Sequence, residues 1–98
     1  MATWTHKPQE CEGDYFFDGR SLQTVGAAAS LSTEEMLWIV RTLQQFIRKH
    51  NGADYLQVFE CNDGRRIWCI CQLSKPMKES GEFQPEDDYW TMLLPEEY

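Results

Sequence analysis

Three cysteines in the second half of the chain are the side chains best suited to chemistry. Cys69 and Cys71 are separated by one residue, and Cys61 precedes them across a stretch of turn-forming residues. Side chains two positions apart on a strand share a face, with Cα atoms about 7 Å apart. Structural zinc sites usually leave about two to four residues between paired cysteines, whereas free cysteines resemble small apolar side chains. We therefore expect buried, reduced, metal-free thiols. A metal-binding regulator or enzyme that uses the Cys61, Cys69 and Cys71 cluster is the alternative.

Other catalytic constellations are missing from the sequence. The chain lacks the G-x-S-x-G, phosphate-loop and H-E-x-x-H patterns. Catalysis by a cysteine with one of the two histidines, His6 or His50, would need the two side chains within hydrogen-bond reach in space, which the sequence does not show. We predict a protein that is not an enzyme and that holds no cofactor.

Acidic charge in the last quarter of the chain is the strongest compositional signal. The net charge is −7, and residues 76–98 carry seven acids and one base. Either these acids form a solvated face that keeps an edge strand from aggregating, or they steer a basic protein partner. The negative charge disfavours nucleic-acid binding and adhesion to an anionic membrane. The candidate partner-binding acids are Glu79, Glu82, Glu86, Asp87, Asp88, Glu96 and Glu97.

An amphipathic helix is predicted for residues 33–49. Ser32 and Glu35 form a capping box ahead of it, and Asn51-Gly52 is a typical C-terminal stop. At 100° per residue the apolar side chains fall on one stripe. That stripe consists of Met36, Ile39, Val40, Leu43, Phe46 and Ile47.

Trp38 does not belong to that apolar stripe. It lies on the polar face of the helix, together with Glu34, Arg41, Gln45 and Lys49. A tryptophan on a polar face is typical of a protein contact. The other interpretation is that it packs beneath the N-terminal segment, against Trp4. Trp38 is the apolar member of the candidate partner-binding residues.

Two hairpins are predicted on either side of the helix. Residues 13–25 contain two β-prone runs around Asp18-Gly19, a strong hairpin turn signal. Residues 54–73 form a second pair of runs around Asn62-Asp63-Gly64. The pattern leaves open which face of this second hairpin is buried.

The closing part of the chain is predicted to form a last strand. Residues 74–88 look like a loop, and residues 89–94 are too apolar for a solvated tail. Acidic residues on both sides would keep such a strand soluble at the edge of a sheet. The element order is then β-β-α-β-β-β, which predicts an α+β fold with an antiparallel sheet of four to five strands and one helix packed on it.

Size and composition indicate one small domain over residues 1–98, with residues 1–12 as a candidate flexible segment. The first ten residues, MATWTHKPQE, lack the apolar region of a secretory signal, and no apolar run approaches the length of a membrane helix. We therefore expect a cytoplasmic protein, a setting in which cysteines are commonly reduced.

The chain resembles a family of short, uncharacterised bacterial proteins over at most residues 33–98. The resemblance rests on the helix, the run YLQVFECNDGRRIWCI, a proline-containing loop and the closing TMLLPEEY. Its specific part is the final eight residues, since family members end in a similar Thr-Ile-Met-Leu run followed by an acid and Tyr. Those proteins are often carried on plasmids and other mobile elements. Their function is unknown, so the resemblance implies an origin and no site residue.

Together these patterns predict a small acidic binding protein of bacterial or mobile-element origin. Its partner would be another protein, and the negative charge suits a basic one. It would act by masking that partner, as an inhibitor, an immunity factor or a nucleic-acid mimic does.

Overall fold

A computed structural model describes residues 3–8 and 13–98. Its strands are β1 (Trp4–Pro8), β2 (Arg20–Gln23), β3 (Leu56–Cys61), β4 (Arg66–Cys71) and β5 (Tyr89–Leu93), and its helices are α1 (Val25–Ser30), α2 (Thr33–His50) and α3 (Lys75–Glu79). The strands form one sheet in the order β1-β3-β4-β5-β2. With α2 as the main helix, this arrangement confirms the α+β class. Among the described residues, no helix is both long enough and apolar enough to cross a membrane.

Helix α2 begins and ends where its sequence signals place it. The Glu35 amide donates to the Ser32 hydroxyl at 3.1 Å, and the Ser32 amide donates to the Glu35 carboxylate at 2.9 Å. At the other end Asn51 adopts a left-handed conformation with a φ of 55°, and the Gly52 amide closes the last turn. The predicted helix over residues 33–49 is confirmed and is one residue longer.

The core lies between α2 and one face of the sheet. Its largest fully buried side chains include Ile39 and Leu43 from the helix, with Phe59, Ile67 and Met92 from three strands. Burying a side chain of this size stabilises a fold by about 1.5–3 kcal/mol. Alternate residues of β3 and β4 point into this core. The packing thus shows which face of the hairpin is buried, which the sequence pattern left open.

The predicted hairpin over residues 54–73 is confirmed as the antiparallel pair β3 and β4. Val58 lies opposite Trp68 in this pair. The turn between the strands contains Gly64, whose φ of 98° is one that residues with a Cβ rarely adopt. The local turn signal in the sequence therefore had a direct structural counterpart.

The predicted hairpin over residues 13–25 is wrong. Strand β2 pairs in parallel with β5, with Leu22 opposite Thr91, so the sheet is mixed and not wholly antiparallel. Gly19 allows a close backbone approach, because a Cβ there would lie 2.3 Å from the Asp88 carbonyl oxygen. An Asp-Gly pair suits irregular loops as well as hairpins, so the turn signal did not identify the pairing.

Segments for which no helix or strand was predicted contain further elements. Strand β1 lies in the segment expected to be flexible and pairs antiparallel with β3, placing Trp4 opposite Cys61. The rest of that segment, residues 1, 2 and 9–12 with Cys11, lies outside the described residues. Helix α1 lies in the stretch before α2, for which no helix or strand was predicted, and α3 occupies part of the loop over residues 74–88.

The predicted last strand is confirmed as β5, but its position differs from the expected one. It lies between β4 and β2, so it is not an edge strand. Trp90 and Met92 point into the core with exposed fractions of 3% and 0%. The acidic residues on either side of β5 therefore do not protect a sheet edge.

Candidate partner-binding site

Trp38 lies on the surface of α2 with a fixed ring. Its side chain is 40% exposed. The ring meets the buried ring of Phe59 edge to face, with centroids 6.1 Å apart and an angle of 83°. One side of the indole is therefore anchored in the core, while the other side faces solvent. A ring held in this way loses little conformational freedom when it makes a contact.

Trp38 borders a groove between β1 and α2, which we call the indole groove. Its volume is about 390 Å³, and it is lined by Thr3, Trp4, Glu34, Glu35 and Trp38. The two tryptophans come from different elements, so the groove exists only because β1 adds to the sheet beside α2. It combines two aromatic rings with two carboxylates.

A network of polar contacts holds the inner wall of the groove. The Trp4 indole N–H donates to Glu35 Oε2 at 2.7 Å. Arg65 Nη2 donates to the same oxygen at 2.7 Å, and its Nε pairs with Asp63 at 2.9 Å. The Arg65 guanidinium also donates to the Ser30 carbonyl and lies over the Trp4 ring, 5.2 Å from the centroid. The network joins β1, the β3–β4 turn and the start of α2.

These contacts fix the charge states inside the network. The hydrogen bond from Arg65, followed by those from the Ser32 amide and Trp4, lowers the pKa of Glu35 to about 2. The same pairing with Glu35 raises the pKa of Arg65. Glu35 is therefore ionised at every physiological pH and is already neutralised by a fixed partner.

Glu34 differs from its neighbour Glu35. It is exposed, and it has no hydrogen-bond or ion-pair partner among the described residues. Glu34 and Trp38 are four residues apart on α2, so their side chains lie one above the other on the helix surface. The open side of the groove thus presents an unpaired carboxylate beside an exposed indole.

The acidic residues predicted to bind a partner do not form one surface. Those of residues 79–88 precede β5, whereas Glu96 and Glu97 follow it. A strand of five residues is about 16 Å long, so the two groups lie at opposite ends of β5. They were grouped by their abundance in the last quarter of the chain, although the strand predicted for residues 89–94 already lay between the two groups.

Three of those acids, Asp87, Asp88 and Glu97, have partners within the chain. Asp87 accepts from the Gln84 amide at 2.9 Å, and Glu97 accepts from the Thr24 hydroxyl at 2.6 Å and from the Leu94 amide at 2.8 Å. The hydrogen bond with Thr24 is the first of the contacts that lower the pKa of Glu97. The remaining acids, Glu79, Glu82, Glu86 and Glu96, are exposed at the surface.

Asp88 belongs to a second charged group, which we call the lysine cluster: Asp18, Lys78 and Asp88. Lys78 Nζ is 3.0 Å from Asp88 Oδ1 and also pairs with Asp18. Partial burial lowers the pKa of Lys78, but the hydrogen bonds to both carboxylates outweigh it and raise the pKa overall. The cluster fastens α3 to the loop before β2.

The cysteines lie in the core and do not converge. Cys61, Cys69 and Cys71 are buried free thiols, and burial raises the pKa of Cys69 and of Cys71. Gln57 is the residue opposite Cys69. Cys61 follows Gln57 by four positions on β3, which separates it from Cys69 by about 13 Å along the strand. Within the described ranges, no group of three potential metal ligands comes together.

Sequence reasoning identified Trp38 as a candidate, placed Glu34 on the same face of the helix and named Trp4 as a packing neighbour in the alternative interpretation. It did not connect Arg65 with this site, because Arg65 comes from a turn that is distant in the chain. No protein family, curated protein or solved structure matches this chain at a significant level.

Proposed function

We propose that this protein binds another protein through the indole groove and acts by masking it. The observation that carries the proposal is the exposed Trp38 ring beside the unpaired Glu34 carboxylate, at the rim of a groove of about 390 Å³. A partner side chain that enters the groove would bury the indole and gain an ionic contact.

Physical features of Trp38 support this role. Tryptophan is enriched among the residues that contribute most to binding. The Phe59 contact fixes the ring before any partner arrives, so the entropic cost of binding is reduced. An indole that served only to fill the core would be buried like Trp90, whereas Trp38 leaves 40% of its surface in solvent.

The placement of the acidic residues favours one mode of masking. A nucleic-acid mimic would need a continuous row of carboxylates in place of phosphates. Here the exposed acids lie at both ends of β5, and several others have internal partners. Such separated charges suit long-range steering of a basic protein. We therefore favour an inhibitor or an immunity factor carried by a bacterial mobile element, acting in the cytoplasm.

The alternative function, based on the cysteines, has less support. A metal centre needs converging ligands at about 2.3 Å from the ion. The three described thiols point into the core, and Cys61 is about 13 Å from Cys69 along the sheet. Binding through the surface groove fits the geometry better.

Selection from a displayed library of random peptides tests the proposed function. Dissociation constants of the selected peptides would be measured by titration calorimetry on the full chain and on Trp38→Ala. We expect the substitution to weaken binding by about thirtyfold, as loss of a hot-spot residue of about 2 kcal/mol does.

Leu37→Ala provides the matched control. Leu37 is 47% exposed on the same helix but does not line the groove, so its loss should leave the dissociation constants unchanged. If Trp38→Ala binds the selected peptides as tightly as the parent does, the groove is not the binding surface.

A further inference from the structure

We infer that the indole groove receives an arginine side chain of the partner protein. The inference rests on the proposed function, since it names the chemistry of the partner at the same site. The starting observation is that the guanidinium of the protein's own Arg65 is held next to the groove.

Arg65 shows how this part of the surface binds a guanidinium. Its planar group lies over the Trp4 ring at 5.2 Å, within the range of a cation–π contact. At the same time it donates to the Glu35 carboxylate, with Nη2 at 2.7 Å and Nη1 at 3.1 Å from the two oxygens. The combination is an indole face and a carboxylate edge presented to one cation.

The open side of the groove repeats that combination. Trp38 supplies an indole, and Glu34 supplies a carboxylate one helical turn away. Among the described residues, no cation lies over the Trp38 ring. The second indole and the second carboxylate thus offer the same two kinds of group as the first pair but have no guanidinium.

The charge balance of the site favours a cation as the occupant. Among the described residues that line the groove or form the ion pairs of its inner wall, Glu34, Glu35 and Asp63 carry three negative charges and Arg65 carries one positive charge. A single arginine from the partner would reduce the remaining excess of negative charge. Arginine suits the site better than lysine, because its flat group stacks on an indole while still donating to a carboxylate.

Titration with short capped peptides tests the inference directly. The probes are acetyl-Gly-Arg-Gly-amide, its lysine counterpart and its citrulline counterpart, which is a neutral isostere of arginine. The readout is the nuclear magnetic resonance shift of the Trp38 indole N–H, identified by its loss in Trp38→Phe. We expect a saturable shift with the arginine peptide, weaker binding of the lysine peptide, and about tenfold weaker binding of the citrulline peptide.

A pair of charge variants locates the ionic contact. Glu34→Gln should weaken binding of the arginine peptide about threefold or more and reduce its dependence on salt. Glu79→Gln removes an equally exposed acid outside the groove and should leave the binding unchanged. Equal affinity for the arginine and citrulline peptides, or shifts confined to another tryptophan, would overturn the inference.

The peptide selection separates this inference from the proposed function. If the selected peptides depend on Trp38 but are not enriched in arginine, the groove binds proteins by a different chemistry and the arginine inference is wrong. If arginine is enriched and its replacement by citrulline weakens binding about tenfold in the parent but not in Glu34→Gln, the inference is supported.

Discussion

The indole groove and the lysine cluster both contain acidic residues, but they differ in what remains unpaired. In the lysine cluster one ammonium group is shared by two carboxylates. In the indole groove the inner carboxylate is paired with Arg65, whereas Glu34 and the exposed face of Trp38 have no partner among the described residues. In the cluster each carboxylate has an ionic partner within the chain, whereas Glu34 in the groove has none among the described residues. The comparison teaches that unpaired groups locate a candidate site better than the local number of acids does.

Removing a core side chain from β5, a strand inside the sheet, should have the largest effect, because it lowers the stability of the whole fold. Trp90 is 3% exposed and packs edge to face against Phe17, with centroids 5.7 Å apart. Trp90→Ala should cost about 3–5 kcal/mol of the free energy of unfolding, which is a large part of the stability expected for a small domain. Urea denaturation measures the loss.

Thr91→Ala is the control for that experiment. Thr91 is the next residue of β5 and points to the face of the sheet away from α2. Its replacement should change the free energy of unfolding far less. Equal losses for the two variants would show that β5 does not contribute to the core as described.

Replacing the central cation of the groove network should have an intermediate effect. Arg65→Met removes the ion pair with Glu35 and the contact with the Trp4 ring. Because hydrogen bonds to charged groups contribute about 1.5–3 kcal/mol, we expect a loss in that range. Differential scanning calorimetry would follow the melting temperature and the free energy of unfolding.

Two other cations sharpen the comparison of the regions. Arg66 makes an exposed pair with Glu60 at 3.3 Å, and Arg66→Met should cost less than about 1 kcal/mol. Lys78→Met in the lysine cluster should fall between the two arginine variants, since one of its partners, Asp18, is well exposed. A larger loss at Lys78 than at Arg65 would reverse the ranking of the two regions.

The smallest expected effect is on the pH dependence of stability. His6 stacks on Phe59 with ring centroids 4.5 Å apart, and burial lowers its pKa from 6.5 despite a hydrogen bond with Gln57. The unfolded chain therefore takes up the proton more readily than the folded chain. The contribution of His6 to the free energy of unfolding should be constant above pH 6.5. It should fall as the pH drops from 6.5 toward the lowered pKa of His6 in the folded state.

Urea denaturation at a series of pH values measures this decline. His6→Phe keeps an aromatic ring but cannot titrate, so it should flatten the curve just below pH 6.5. Glu35 provides the contrast. Its folded pKa of about 2 lies below its usual 4.5, so its contribution is present above pH 4.5 and is lost as the pH falls through about 2. A decline below pH 6.5 that persists in His6→Phe would have another origin.

The parts of the fold that the sequence predicted are those with local signals. The capping box at Ser32 and Glu35 defines α2, and the turn at Gly64 defines the β3–β4 hairpin. The parallel pairing of β2 with β5 has no local signal, because nothing near Leu22 in the chain indicates Thr91 as its partner. The Asp18-Gly19 pair suggested a turn, whereas Gly19 allows a close approach to the backbone of a residue that is distant in the chain.

The candidate site was predicted to a smaller extent. Trp38 was recognised because it breaks the apolar periodicity of its own helix. Trp4 was named as its neighbour only in the alternative interpretation, and Arg65 was not associated with it, since their meeting depends on how β1 and the β3–β4 turn are placed against α2. The acids were chosen by their abundance, and abundance does not show that β5 separates them.

The position of β2 has a consequence for how fast the protein reaches its final structure. Within the part of the chain that the structure describes, β2 is the edge strand at one side of the sheet and pairs with β5 alone, which follows it by most of the length of the chain. Closing so long a loop costs entropy before the pairing returns any stabilisation. Proteins rich in such distant pairings fold slowly. We therefore expect the β3–β4 hairpin and α2 to order early, and the parallel strand pair to complete the sheet last.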